Sequence, residues 1–184
     1  MRKILLTSNG LATDRIISVF HSLLEKQTAE AKALFIPTAA NTPEAIFMVP
    51  ECLKDLLNAG ISEENITVFD LYRNMAIEEL SQYDTVCFTG GTSQYLLDRI
   101  NDTGFSATLT QYVDNGGVYL GISAGSVVAT NNLPNNLGFI NCKLGVHKEI
   151  GTARGVIDVS KNPHIDLTGS NAILILGDRF EIVE

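Results

Sequence analysis

Val118-Tyr-Leu-Gly-Ile122 runs without a break into Ser123-Ala-Gly-Ser126, and the fold follows from how this stretch is read. Its first five residues show no alternation of polar and apolar side chains, so a strand here buries both faces. Strands of that kind lie in parallel sheets covered on both sides by helices. Gly121-Ile-Ser123-Ala-Gly125 then fits Gly-x-Ser-x-Gly, a sharp strand-to-helix turn that lifts a side chain out at the carboxyl end of a sheet. Glycines on both sides let strand and helix approach closely, and Ser126–Thr130 continues the turn as helix.

Working outward, the same pattern repeats. Lys3–Thr7, Ala33–Ile36, Ile66–Asp70 and Thr85–Thr89 are short apolar runs. Between them lie segments of helical periodicity. Asp14–Gln27 carries Ile16, Ile17, Phe20, Leu23 and Leu24 on one face. Thr42 caps a helix with Pro43 at its first position and Glu44 in its first turn, running to Asn58 and stopped by Gly60. Pro50 is expected to kink or split that helix. Shorter helices are expected over Ile77–Ser81, Gln94–Ile100 and Phe105–Asn115. Strands alternating with helices, joined by right-handed crossovers, predict a three-layer α/β sandwich on a mostly parallel sheet. The last third is richer in Gly and Asn; Lys143–Val146 reads as a short strand, and Ala172–Leu176 with Phe180–Val183 as a hairpin around Gly177-Asp178. No repeat or linker divides the 184 residues, which are expected to form one domain, 1–184.

Composition narrows the function classes. A chain of this length buries roughly 70% of its unfolded surface and needs no disulfide or metal to hold a core. A net charge of −8 leaves no excess of basic surface and disfavours nucleic acid and anionic membranes as partners. Cys52, Cys87 and Cys142 stand far apart, with no metal-binding or disulfide pattern. No apolar run approaches the about 20 residues that cross a bilayer, and the one beginning at Ile4 is too short for a signal peptide. The expectation is a cytoplasmic protein without metal or organic cofactor.

In the strand–turn–helix context, Ser123 reads as a nucleophile; the plain alternative is a glycine-rich turn that binds phosphate or packs closely. The Ala124 N–H, at the start of a helix, is placed to hold an oxyanion. Thr89-Gly90-Gly91-Thr92 follows another strand, so it falls at the same sheet edge and offers Gly91 N–H as a second donor. A serine nucleophile needs a base. His21 lies inside the first helix. His147, after the strand Lys143–Val146, and His164, after Pro163 in a polar loop, both stay open on residue pattern, with His147 modestly ahead.

Thr89-Gly-Gly-Thr-Ser-Gln-Tyr-Leu-Leu97, Leu120-Gly-Ile-Ser-Ala-Gly-Ser126 and Leu137-Gly-Phe through Val146-His147 resemble successive blocks of peptidase E. That is the S51 family of serine peptidases, which includes aspartyl dipeptidase and cyanophycinase. Leu5-Leu-Thr-Ser-Asn9 and Phe35-Ile-Pro-Thr38 are similar to family segments too. The resemblance implies a flavodoxin-like, class I glutamine amidotransferase-like fold, Ser123 as nucleophile, His147 as general base and an oxyanion hole of Gly91 and Ala124 amides.

Two departures stand out. The family's acid is a glutamate in a Leu-Pro-Glu-Gly-like turn; the matching stretch here is Leu167-Thr-Gly-Ser-Asn-Ala172, with Gly169 at the carboxylate position. Asp166 is the nearest replacement, ahead of Glu149 and Asp158, and each is otherwise a solvated surface carboxylate. The segment between the histidine and this turn is also short. In the dipeptidases it recognises aspartate through an arginine, and Arg154 in Gly151-Thr-Ala-Arg154 is loosely similar to that element, or else a plain surface charge. The expected function is a serine peptidase acting on small peptides, dipeptidase-like. The alternative is an inactive relative that binds a small ligand or partner in the same pocket. A homodimer is compatible with the fold, though no residue specifies it. A glutamine amidotransferase would need cysteine at the turn, and a flavodoxin-like nucleotide binder would give His147 no role.

Overall fold

The computed structural model describes residues 1–184. Its strands are β1 (Lys3–Thr7), β2 (Ala33–Ile36), β3 (Ile66–Val68), β4 (Thr85–Phe88), β5 (Val118–Ile122), β6 (Lys143–Gly145), β7 (Gly155–Val156), β8 (His164–Asp166), β9 (Ala172–Leu176) and β10 (Arg179–Val183). Its helices are α1 (Asp14–Leu24), α2 (Pro43–Asn58), α3 (Ile77–Leu80), α4 (Ser93–Asp102), α5 (Phe105–Asp114) and α6 (Ala124–Val127).

Eight strands form the main sheet in the order β3-β2-β4-β5-β1-β9-β10-β7. From β3 to β1 every pairing is parallel; β9, β10 and β7 extend the sheet antiparallel. Strand progression runs one way from β1 to β3 and the other way from β4 to β5. Right-handed crossovers therefore put the connecting helices on opposite faces. Leu5, Phe35, Cys87 and Leu120 pack with Phe20, Leu23 and Leu56 of α1 and α2 on one face. Ile4, Leu6, Ile36, Phe88 and Tyr119 pack with Leu97, Leu109 and Val128 on the other. Alternate residues of each strand thus enter different cores. This is why the strands read as unbroken apolar runs, and it makes the molecule the expected three-layer α/β sandwich.

Two features differ from expectation. Of the kink or split expected at Pro50, the split does not occur: helix α2 runs unbroken from Pro43 to Asn58. The proline leaves the Ile46 carbonyl without its helical partner, but Ile46 is exposed, so the lost bond falls on the solvent side of the helix, where it costs least. A second sheet pairs β6 with β8 in parallel. Its strands have three residues each, too short for periodicity to show β8, and it packs Leu144, Ile165 and Leu167 against the α4–α6 face.

The parallel register aligns the carboxyl ends of β1, β4 and β5. Thr7 lies opposite Ile122, and Phe88 opposite Gly121. The segments that follow, Ser8–Leu11, Thr89–Thr92 and Ser123 onward, therefore emerge side by side at one sheet edge, where open α/β sheets carry their ligand sites.

Candidate active site

The turn at Ser123 is built by close packing. Ser123 has φ 49° and ψ −103°, a conformation that an L residue holds only when its surroundings impose it. A Cβ at Gly125 would lie 2.6 Å from both Cβ and the carbonyl oxygen of Phe88, and one at Gly121 would lie 2.7 Å from the Gly125 oxygen. Both flanking positions are therefore restricted to glycine by contact. Buried Ser126 ties the turn down: its hydroxyl lies 2.7 Å from the Thr7 oxygen, 2.8 Å from the Gly121 oxygen and 2.9 Å from the Thr7 nitrogen, which donates to it. The Ser123 N–H donates to the Thr7 oxygen at 3.0 Å. Strands β1 and β5 and helix α6 are thereby locked together under an outward-facing Oγ.

That Oγ lies 2.8 Å from His147 Nε2. The His147 loop follows β6 and is held by Lys148 N–H donating to the Leu167 oxygen and Leu167 N–H donating to the Gly145 oxygen. His147 has φ 56°, a left-handed turn that swings its ring back over the sheet edge. Its backbone N–H donates to Ser8 Oγ at 2.7 Å, and its Nδ1 lies 3.4 Å from the same oxygen.

On the other side of Ser123 is the Gly90–Thr92 turn. Gly91 has φ 140°, and a Cβ there would lie 2.0 Å from the Ala39 oxygen, so only glycine fits. Its N–H donates to no protein acceptor. The Ala124 N–H opens α6 and is one of the donors a helix cannot satisfy internally.

Ser123, His147 and Gly91 border a cavity of about 470 Å³. Ser8, Asn9, Thr89, Gly90, Gly91, Ile122, Ser123 and His147 line the sheet side; α2 supplies the opposite wall. The α2 wall is apolar at Ala45, Met48 and Val49 and acidic at Glu51 and Asp55. No lysine or arginine lines the cavity. Asp55 accepts from Leu11 N–H at 3.2 Å. Burial pushes its carboxyl above the ordinary range, outweighing that hydrogen bond, and the charge of Glu51 adds to the rise. Burial likewise pushes the Cys52 thiol up, more than the facing Gly90 N–H lowers it. No three His, Cys, Asp or Glu side chains converge to hold a metal.

A sequence model of peptidase family S51 matches residues 4–176, nearly the whole chain. The chain belongs to peptidase family S51. It is accordingly a serine peptidase. An uncharacterized peptidase of Listeria monocytogenes is 27% identical over 168 residues, 91% of this chain and 80% of that protein. One from Pasteurella multocida is 25% identical over 99 residues, 54% of this chain and 48% of its own. Among solved structures, a candidate peptidase E from L. monocytogenes EGD-e superposes with a TM-score of 0.77 at 21% identity, covering 100% of this chain and 98% of that one. A peptidase from an acI-B1 Actinobacterium gives 0.69 at 17% identity, covering 100% and 87%. At such identities the two structures speak for the fold, which is flavodoxin-like.

Within this S51 chain, Ser123, His147, Gly91 and Ala124 come together at one edge. Asp166 does not join them through a hydrogen bond: its carboxylate accepts from His164 Nε2 at 3.0 Å, while His147 Nδ1 faces Ser8. Register explains this, since Asp166 pairs with Gly145, two residues short of His147. Arg154 is exposed, just before β7 at the far edge of the main sheet, and does not line the cavity. His21 Nε2 lies 2.7 Å from the Ala59 oxygen, tying α1 to the end of α2. At Gly169, a Cβ would lie 2.9 Å from Asn9 Nδ2, so this turn abuts the loop after β1. No sequence pattern marked Ser8 or Asp55 as site residues, and Cys52 stood out only as one of three dispersed cysteines. The only signal for Ser8 was its place in Leu5-Leu-Thr-Ser-Asn9, directly after a strand.

Proposed function

We propose that Ser123 and His147 form the nucleophile and general base of a peptidase acting on short peptides. The observation that carries this reading is the 2.8 Å approach of His147 Nε2 to an Oγ raised on a strained turn beside a cavity. Nε2 takes the hydroxyl proton as Oγ bonds to the scissile carbonyl carbon. The carbonyl oxygen, now negative, is held by the Gly91 and Ala124 N–H groups. On collapse the C–N bond breaks and the imidazolium returns the proton to the leaving amine. Water, deprotonated by the same nitrogen, then attacks the acyl-enzyme and restores Ser123. A cavity of this size admits a dipeptide or little more. Its two carboxylates and lack of a cation favour substrates whose first residue is neutral or basic over aspartyl peptides.

One observation favours the alternative of an inactive ligand-binding relative: no carboxylate reaches His147 Nδ1. A fluorophosphonate probe separates the two. A catalytic pair gives an adduct on wild type that is absent in Ser123→Ala and strongly slowed in His147→Ala. A folded wild-type protein that takes no label is the binding module.

A further inference from the structure

We propose that Ser8 is the positioning residue for His147, filling with a neutral hydroxyl the place that an acid holds in a Ser-His-acid triad. This rests on the reading of His147 as general base. Ser8 directly follows β1 and is 1% exposed. Its Oγ hydrogen-bonds to no protein group other than His147, and it meets that residue twice: the backbone N–H at 2.7 Å and Nδ1 at 3.4 Å. The left-handed turn at His147 makes this possible by directing the peptide N–H and the ring edge at the same oxygen. A hydroxyl has two lone pairs, one for each donor.

Chemistry requires such a partner. For Nε2 to accept a proton from Ser123, the neutral ring must carry its own proton on Nδ1, and the group facing Nδ1 decides that tautomer. Asp166 is engaged by His164, and Asp158 by Ser160 and Lys161. The charged groups lining the cavity, Glu51 and Asp55, stand on the α2 wall and make no hydrogen bond to the ring. Glu149 is exposed and makes no hydrogen bond to the ring either, which leaves Ser8 as the partner of Nδ1. Nδ1 donates to its Oγ before and during catalysis, and the proton from Ser123 never passes to Ser8. A neutral acceptor orients the ring and fixes the tautomer, but it stabilises the imidazolium less than a carboxylate does.

The test is Ser8→Ala, with Ser8→Cys as a nearly isosteric second variant that keeps the site filled but is a weak acceptor. Nitrogen chemical shifts of His147 are read by NMR, alongside kcat and KM on a short peptide. Wild type is expected in the Nδ1–H tautomer. Ser8→Ala is expected to show a mixed or Nε2–H population and a kcat lowered about tenfold to a hundredfold with KM little changed, as for a group that sets the competent state of the base without touching substrate. Ser8→Cys falls between. The proposal is overturned if wild type holds the proton on Nε2, with Ser8 donating to Nδ1. It is equally overturned if folded Ser8→Ala keeps the wild-type tautomer, or if either folded variant keeps wild-type kcat. The NMR readout needs no turnover. If Ser123→Ala and His147→Ala still hydrolyse peptides, the catalytic reading itself fails, whatever Ser8 does.

Discussion

The turn at Ser123 closes only because positions 121 and 125 carry no side chain. The contacts at Gly121 and Gly125 are with main-chain atoms and a Phe88 Cβ, none of which moves as the end of a flexible side chain would. Gly125→Ala is therefore expected to destabilise the fold by about 1–3 kcal/mol, the usual cost of overpacking, measured by urea unfolding. It should also displace Ser123, so fluorophosphonate labelling of the folded fraction slows as well. Unchanged stability would contradict the packing account. Cys52 allows a second prediction at this scale. Its sulfur lies in the cavity, but burial raises its pKa and leaves little thiolate at neutral pH. Iodoacetamide at pH 7 is expected to leave peptidase activity standing while a fluorophosphonate abolishes it. Rapid inactivation by the alkylating reagent would point to a reactive thiol in the site instead.

At the scale of elements, α2 forms the cavity wall opposite Ser123. Its cavity-facing side passes from apolar at Ala45, Met48 and Val49 to acidic at Glu51 and Asp55. Peptides that differ only in their first residue should therefore be cleaved in the order basic or neutral ahead of aspartyl, compared by kcat/KM; an aspartyl preference would contradict this electrostatic reading. Asp55 also weighs on stability. Its folded pKa stands above the unfolded value of about 3.9, so the folded state binds the proton more tightly. Stability then falls as pH rises from about 4 through the raised pKa, and the full cost remains at neutral pH. Asp55→Asn keeps an acceptor for the Leu11 N–H but carries no charge. It is expected to melt higher than wild type at pH 7, with the advantage fading as pH falls toward about 4; a lower melting temperature at pH 7 would contradict it. The elements themselves were largely legible in the sequence: β1, β2, β4, β5 and the β9–β10 hairpin end within a residue of the apolar runs that mark them. What periodicity missed was β7 and β8, which lack the length to show a period, and the continuity of α2, whose lost bond falls on the solvent side.

For the whole molecule, a parallel sheet does the assembling. Ser8, Gly91 and Ser123 are far apart in sequence but adjacent because β1, β5 and β4 are neighbours with their carboxyl ends level. Each lies in the segment that leaves a strand readable in the sequence, and the elbow and the glycine pair were readable as chemistry. The histidine was less so: His147 reaches the site through the small β6–β8 sheet, whose pairing no local pattern shows. The group facing Nδ1 was the least legible. A lone serine after a strand carries no signal until the His147 backbone is seen to turn left-handed above it. The most direct test of the account is kcat/KM for short-peptide hydrolysis by wild type against Ser123→Ala. Loss of the nucleophile is expected to lower it by at least about a thousandfold with melting temperature preserved. A folded Ser123→Ala protein within about tenfold of wild type would show that the chemistry is done elsewhere.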